Sequence, residues 1–246
     1  MIRWACLTFL LSLEERGMTI IQNVDFTLTL DEVLIHQGGA RGRKVKPAVA
    51  RLMGECLEFV HERKLFEPAV VYERVPLAEI EGDRLLMEGG EVLKGRMLAI
   101  RFAGACELVL AACTIGPKLD AAVRELHKAD DDVRAVIIDS IGVSAMNVLG
   151  RETCSMVGDE VEADGIRVSG ALSPGLHGIP LDNQTPLHKL LQSNRIGMAL
   201  TDGLMMTPTK SSSMIFGVGS EMVQWSKEQV CKWCNLGHTC AYRTTT

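Results

Sequence analysis

Residues 171 to 217 read ALSPGLHGIPLDNQTPLHKLLQSNRIGMALTDGLMMTPTKSSSMIFG. One proline and two glycines fall between Ser173 and Gly178, so the backbone turns sharply there and its amides can come close to a ligand. Asp182 or Asn183 is placed to cap the helix that follows. Leu187, Leu190 and Leu191 then face inward, and His188 lands one position off that seam, on the surface. Gln184, Ile196-Gly197, Leu200-Thr201 and Met206-x-Pro208 follow in close order, with Met205 and Met206 suited to a core or a partner surface. Lys210 and Ser211 to Ser213 carry the atoms of a nucleophile. No histidine lies near them in sequence, so a serine-rich strand edge is the simpler reading.

Upstream, an apolar-periodic stretch runs from Asp131 toward Glu162, and as one helix it would be about 45 Å long. Gly142, Gly150 and Gly158 each cost about 1 kcal/mol relative to Ala inside a helix. They imply close packing against another backbone or a break, which is placed near Gly158. Pro117 suits the first turn of the preceding helix, which bears Leu119, Val123 and Leu126. Nearer the N-terminus, Asp31 caps a short helix through Leu34 that stops at Gly38-Gly39, and Arg41 to Lys46 forms a basic loop ending at Pro47. Val49, Leu52, Met53, Cys56, Leu57 and Val60 then share one helix face, running to about Lys64. Val70 to Leu77, Leu85 to Glu88, Met97 to Phe102 and Glu107 to Ala112 are short, partly β-branched segments between turns, as in neighbouring strands. Helices gathered in two places around them predict an α+β fold, a twisted antiparallel sheet flanked by helices.

A chain of 246 residues with 47% hydrophobic content is long enough for a sizeable core. No repeat or low-complexity linker divides it, so one domain is expected over residues 18–224, after a leader at 1–17 and before a cysteine-rich tail at 225–246. Trp4 to Leu13 is apolar but too short to cross a bilayer, and no small-residue cleavage site precedes Glu14-Glu15-Arg16; an upstream extension fits it better than a signal peptide. The net charge of -5, without any dense Lys/Arg cluster, argues against a nucleic-acid partner. Neither nucleic acid nor membrane is an expected partner, and the expected compartment is the cytoplasm. There, Cys6, Cys56, Cys106, Cys113 and Cys154, scattered in apolar contexts, read as reduced, buried small hydrophobes.

Ordered matches across residues 171–217, continued more loosely through Ile115-Gly116 and Asp139-x-Ile141-Gly142, resemble the activation domain of cobalamin-dependent methionine synthase, in its stand-alone form. Together they span roughly half the chain. The resemblance implies that the domain sits over a corrinoid held by a partner protein, so that oxidised cobalt can be reduced and remethylated. It also implies that Ser173, Pro174 and Gly175 lie beside S-adenosylmethionine. The family motif Arg-x-x-Pro-Gly-Tyr has Ala171 in its Arg position and Leu176 in its Tyr position, and Asn147 stands where the family's long helix places a Glu. A guanidinium makes charge-assisted bonds to a carboxylate and Ala offers no donor. Losing several such contacts, each about 1.5 to 3 kcal/mol, lowers the expected affinity by orders of magnitude unless Arg167 reaches in from four residues upstream.

Cys231-x2-Cys234-x5-Cys240 is the second functional signal, because a Cys-x2-Cys pair can point both sulfurs at one metal. A fourth ligand could be His238, giving zinc, or Cys106, Cys113 or Cys154, giving zinc or an iron-sulfur cluster. Another subunit, an open cluster position or a set of reduced thiols are the remaining options. These features together predict an accessory protein that docks on a corrinoid protein or cobalamin-dependent methyltransferase and supports its reductive reactivation, with a possible electron-donor partner. Two other readings compete. One is an S-adenosylmethionine-binding reductive methylation domain of a split methionine synthase, and the other is a corrinoid-protein binding or assembly factor with no redox role.

Overall fold

The computed structural model describes residues 17–36, 45–225 and 227–233. Within them, strands β1 (Thr19–Gln22), β2 (Ala69–Glu81), β3 (Arg84–Met87), β4 (Val92–Lys94), β5 (Glu107–Thr114), β6 (Arg167–Val168) and β9 (Ser211–Gly219) make one sheet in the order β4-β3-β2-β5-β9-β6, with β1 also paired to β2. Every ladder in it is antiparallel. Strands β7 (Ala199–Leu200) and β8 (Met206–Thr207) form a separate hairpin. The helices are α1 (Leu30–His36), α2 (Pro47–Glu62), α3 (Arg96–Arg101), α4 (Lys118–Lys128), α5 (Asp132–Ala163), α6 (Gln184–Leu190) and α7 (Lys227–Trp233). The α+β reading holds.

Strand β5 is buried along its whole length because both of its faces are covered. Val109, Ala111 and Cys113 join Met53, Val60, Leu119, Ile138 and other helix residues in one cluster. Leu108, Leu110 and Ala112 join Leu98, Phe102, Leu187 and Leu191 in a second on the opposite face. Near the end of the sheet, Arg74 of β2 donates to both carboxylate oxygens of Glu107 and also to Asp164 beyond α5. Two strands and the long helix are thereby tied by a bidentate ion pair that is buried on both sides.

Several local expectations are corrected. Thr29, not Asp31, caps α1: its hydroxyl accepts from the Glu32 amide at 3.3 Å and its amide donates to the Glu32 carboxylate at 3.0 Å, a capping box. The predicted stop at Gly38-Gly39 and residues 41–44 of the basic loop lie outside the described residues, as do leader residues 1–16. In α2, Met53, Cys56, Leu57 and Val60 are buried as predicted, whereas Val49 in the first turn is 42% exposed. Residues 97–102 form not a strand but the single-turn helix α3 and its cap. Leu98 and Phe102, four apart, are both fully buried, which is a helical spacing.

Helix α5 is unbroken over 32 residues and starts at Asp131, whose carboxylate accepts from the Arg134 amide. Gly142 is in close contact: a Cβ there would lie 2.9 Å from Leu119 Cδ2 and 3.0 Å from Lys210 Cε. Among the described residues, a Cβ at Gly150 or at Gly158 would meet nothing within 4 Å, so neither packing nor a break explains them. By length and composition α5 could cross a bilayer, yet it lies in the core beside α2, α4 and the sheet. The serine-rich strand is not an edge either. β9 lies between β5 and β6, and buried Ser213 donates to Gln184 Oε1 at 3.0 Å.

Candidate functional site

Two glycines of α5, Gly150 and Gly158, open onto concavities of the described surface. A cavity of about 530 Å³ runs between α5, which contributes Met146, Asn147, Gly150, Arg151 and Cys154, and the segment carrying Ala171, Ser173 and Leu176. Ser212 and Met214 of β9 face it from the sheet, and Trp225 and Val230 wall it from the C-terminal side. A second cavity of about 410 Å³ shares Cys154, Ala171 and Trp225 with the first and continues along α5 past Gly158 to Asp159 and Glu162. The missing side chains at positions 150 and 158 keep this groove open at an intrinsic helix cost of about 1 kcal/mol each.

Backbone pairing fixes the wall opposite α5. Leu172 exchanges two backbone hydrogen bonds with Ile215 of β9, at 2.9 and 2.7 Å, so Ala171 and Ser173 emerge beside the groove at a set height. The turn that follows is closed internally: the Leu176 amide donates to the Ser173 carbonyl, and the Gly175 amide donates to the Ile179 carbonyl at 3.0 Å. Gly175 takes φ +89°, which suits glycine. Of the three candidate binding residues, Ser173 lines the cavity, Pro174 is buried, and Gly175 has committed its amide within the turn.

Asn147, Ala171 and Leu176, singled out from sequence as departures from the family motif, come together in this one cavity. Asn147 donates to the Val143 carbonyl one turn back on α5. Arg167 is exposed on β6 and is not part of the lining, so it does not replace the missing guanidinium. The guanidinium that does line the groove is Arg151, which donates to Glu32 at 2.7 Å. It sits one helical turn from Asn147, a spacing the sequence displayed although nothing marked it. Cys154 lies 3.9 Å from the Met214 sulfur, and burial pushes its thiol up to about 11. It is a neutral thiol at neutral pH rather than a thiolate nucleophile.

Two further positions correct the sequence reading. His188, expected on the surface, is buried; its Nδ1 lies 2.7 Å from the Ser193 hydroxyl, and burial lowers its pKa to about 4. Asn183 does not cap α6. Its carbonyl oxygen accepts from the Lys94 amide and its amide donates to the Lys94 and Pro180 carbonyls, fastening α6 to β4.

No protein-family model and no curated protein matches the sequence. Among solved structures, the crystal structure of the MetH reactivation domain bound to AdoHcy is similar with a TM-score of 0.61, over 93% of this chain and 88% of that chain, at 12% identity. The chain has the MetH reactivation domain fold. The α+β architecture expected from the pattern of helices and strands is thus the architecture observed, and the reactivation-domain resemblance carried by residues 171–217 is the one that the fold shares.

Asn147, Ala171 and Leu176 supply neither a carboxylate nor a guanidinium to the groove, and the charged side chain in the lining of the larger cavity is Arg151.

Of the tail cysteines, Cys231 lies on α7, half-buried, whereas Cys234 and Cys240, and with them His238, lie outside the described residues. Among the described residues no group of three metal-ligating side chains assembles. Trp225 and α7 nevertheless pack on the body. Trp225 stacks on Phe102 with ring centroids 6.2 Å apart and touches Trp233 at 5.7 Å, and the Arg101 guanidinium lies 3.4 Å over the Trp233 ring. Cys56 and Cys113 are buried thiols as read from sequence. Cys106, read as reduced, is instead disulfide-bonded.

Proposed function

We propose that this chain is an accessory protein that docks on a corrinoid protein or cobalamin-dependent methyltransferase and supports return of its inactive cobalt to the reduced state. The observation that carries the proposal is the groove: its frame is that of a reactivation-domain fold, while Asn147, Ala171 and Leu176 stand where the family motif has charged or phenolic side chains and the guanidinium that does line it, Arg151, is engaged by Glu32. The cobalamin stays with the partner, and the chain works by binding and by electron delivery, with an electron-donor protein as a second partner. Cys231, Cys234 and Cys240 belong to this proposal as ligands of a zinc ion or an iron-sulfur cluster, the latter serving as an electron relay. The expected compartment is the cytoplasm, where thiolate ligands are kept reduced.

A second reading, a reductive methylation domain that binds S-adenosylmethionine, is favoured by the open volume of the groove and by Arg151 at its wall. Calorimetry separates the two. The accessory reading predicts no heat at millimolar S-adenosylmethionine together with saturable association with a cobalamin-loaded methionine synthase module. Heat with micromolar affinity would establish the methylation reading instead.

A further inference from the structure

We infer that Trp225 and helix α7 form an autoinhibitory strap over the groove beside α5, and that the groove takes its partner only when the strap has swung away. The inference deepens the docking reading above and rests on it for the partner; the strap itself is tested on the chain alone.

The strap's position follows from its contacts. Trp225 lines both cavities of the groove, and Val230 of α7 lines the larger one. Val230 and Trp233 also lie against Leu172 and Leu176, around a residual gap of about 20 Å³. Leu172 is the residue whose pairing with Ile215 sets the wall opposite α5, and Leu176 lines the groove itself. The strap therefore closes one side of the groove and covers the turn that frames it. Its anchor is the Trp225 indole, stacked on buried Phe102 with centroids 6.2 Å apart. The same indole sits on Gly170, where a Cβ would come within 2.5 Å of its Cδ1 and Nε1, so the seat exists only because that residue has no side chain.

The seat is close in shape and poor in polar pairing. The indole N–H of Trp225 is buried without a hydrogen-bond partner among the described residues, and so is Nε of Arg101, whose guanidinium lies 3.4 Å over the Trp233 ring. His188 Nε2 is the one other such side-chain atom among those residues, so the unpaired donors concentrate at this contact. Burying a donor unpaired forfeits its bonds to water, and release restores them. The gap under α7 forfeits dispersion contacts as well. Gln224, just before the anchor, reaches Glu162 of α5 only at 3.5 Å. Against these losses stand the apolar area of two indoles and the cation–π contact with Arg101. A contact that gains in shape and loses in pairing suits a two-state cover better than a permanent part of the core. A strap closed about nine-tenths of the time lowers the apparent affinity for anything entering the groove about tenfold.

The test uses the full chain, with Gly170→Ala to unseat the strap sterically and Trp225→Ala to remove its anchor. Gly170 has no positive φ, and the three atoms nearest an added Cβ all belong to the Trp225 indole, so the first change bears on the strap. The reporter is Cys154, which lines both cavities; its rate of modification by a maleimide is read by peptide mapping. Cys56 and Cys113, buried and outside that lining, report any general loosening. Cys154 is expected to react about tenfold faster in each variant while Cys56 and Cys113 stay slow, and Gly170→Ala should add nothing in a Trp225→Ala background. An unchanged Cys154 rate overturns the strap, and so does faster reaction at Cys56 and Cys113 as well, which would make the segment part of the core. Association with a cobalamin-loaded methionine synthase module is measured alongside. Binding about tenfold tighter by Gly170→Ala supports autoinhibition, and equal binding by a variant whose Cys154 has become reactive overturns it. No association by any of these proteins removes the docking reading, while the Cys154 rates still decide whether the strap covers the groove.

Discussion

At the scale of single residues, Asn147, Ala171, Ser173 and Leu176 line one cavity because the pairing of Leu172 with Ile215 of β9 sets the segment of the last three opposite α5, which carries Asn147. His188 was misplaced because α6 is only seven residues long, and Ser193, just past the left-handed Gln192, turns back to offer the ring a hydroxyl. Periodicity sees one face of a helix and not a segment folding over the other. His188 also gives a pH prediction. Its folded pKa of about 4 lies below the reference 6.5, so the unfolded chain takes up the proton first and stability falls as pH drops from 6.5 toward 4. Between pH 7 and 5 the loss is about 2 kcal/mol. Urea unfolding should show it in the natural chain, and His188→Gln should flatten that limb; an equal loss in both would show that another group is responsible.

The same residue scale offers a gain-of-function test of the groove. Ala171→Arg together with Asn147→Glu restores a guanidinium and a carboxylate on opposite walls. Each charge-assisted contact is worth about 1.5 to 3 kcal/mol, or roughly tenfold to a hundredfold in affinity. Calorimetry with S-adenosylmethionine is expected to show binding by the double variant where the natural chain shows none. Silence from a folded double variant would mean that the groove is not where such a ligand sits.

Among elements, the longer helices were legible because each buries one periodic face, as α2 does with Met53, Cys56, Leu57 and Val60. Short elements were not: α3, six residues long, is too short for periodicity to separate it from a strand, and the strands β1, β4 and β6, of two to four residues, carried no pattern of their own. The glycines of α5 were visible, but not the distinction among them. Gly142 touches Leu119 and Lys210, whereas Gly150 and Gly158 face open space, and only the packed structure shows which. Substitution should make that distinction measurable. Gly158→Ala is expected to stabilise the chain by up to about 1 kcal/mol, the helix-propensity gain, because its Cβ meets nothing. Gly142→Ala should destabilise it, since its Cβ would come 2.9 Å from Leu119 Cδ2 and crowd the α4–α5 contact. Chemical denaturation of the two variants checks the pair; the same sign for both would contradict this account of α5.

For the whole molecule, the fold similarity at 12% identity explains why a short block could indicate the architecture and yet leave the ligand chemistry open. A sheet covered on both faces demands a particular order of apolar segments, and that demand outlasts the side chains lining a surface groove. The central claim is that this fold reactivates a corrinoid without a cosubstrate of its own. It is tested most directly by following the visible spectrum of cob(II)alamin on the cobalamin-binding module of a methionine synthase, held anaerobically with titanium(III) citrate, as this chain is added without S-adenosylmethionine. The account predicts a saturable rise in the rate at which the cob(I)alamin spectrum appears; a rate that stays flat until S-adenosylmethionine is supplied would contradict it.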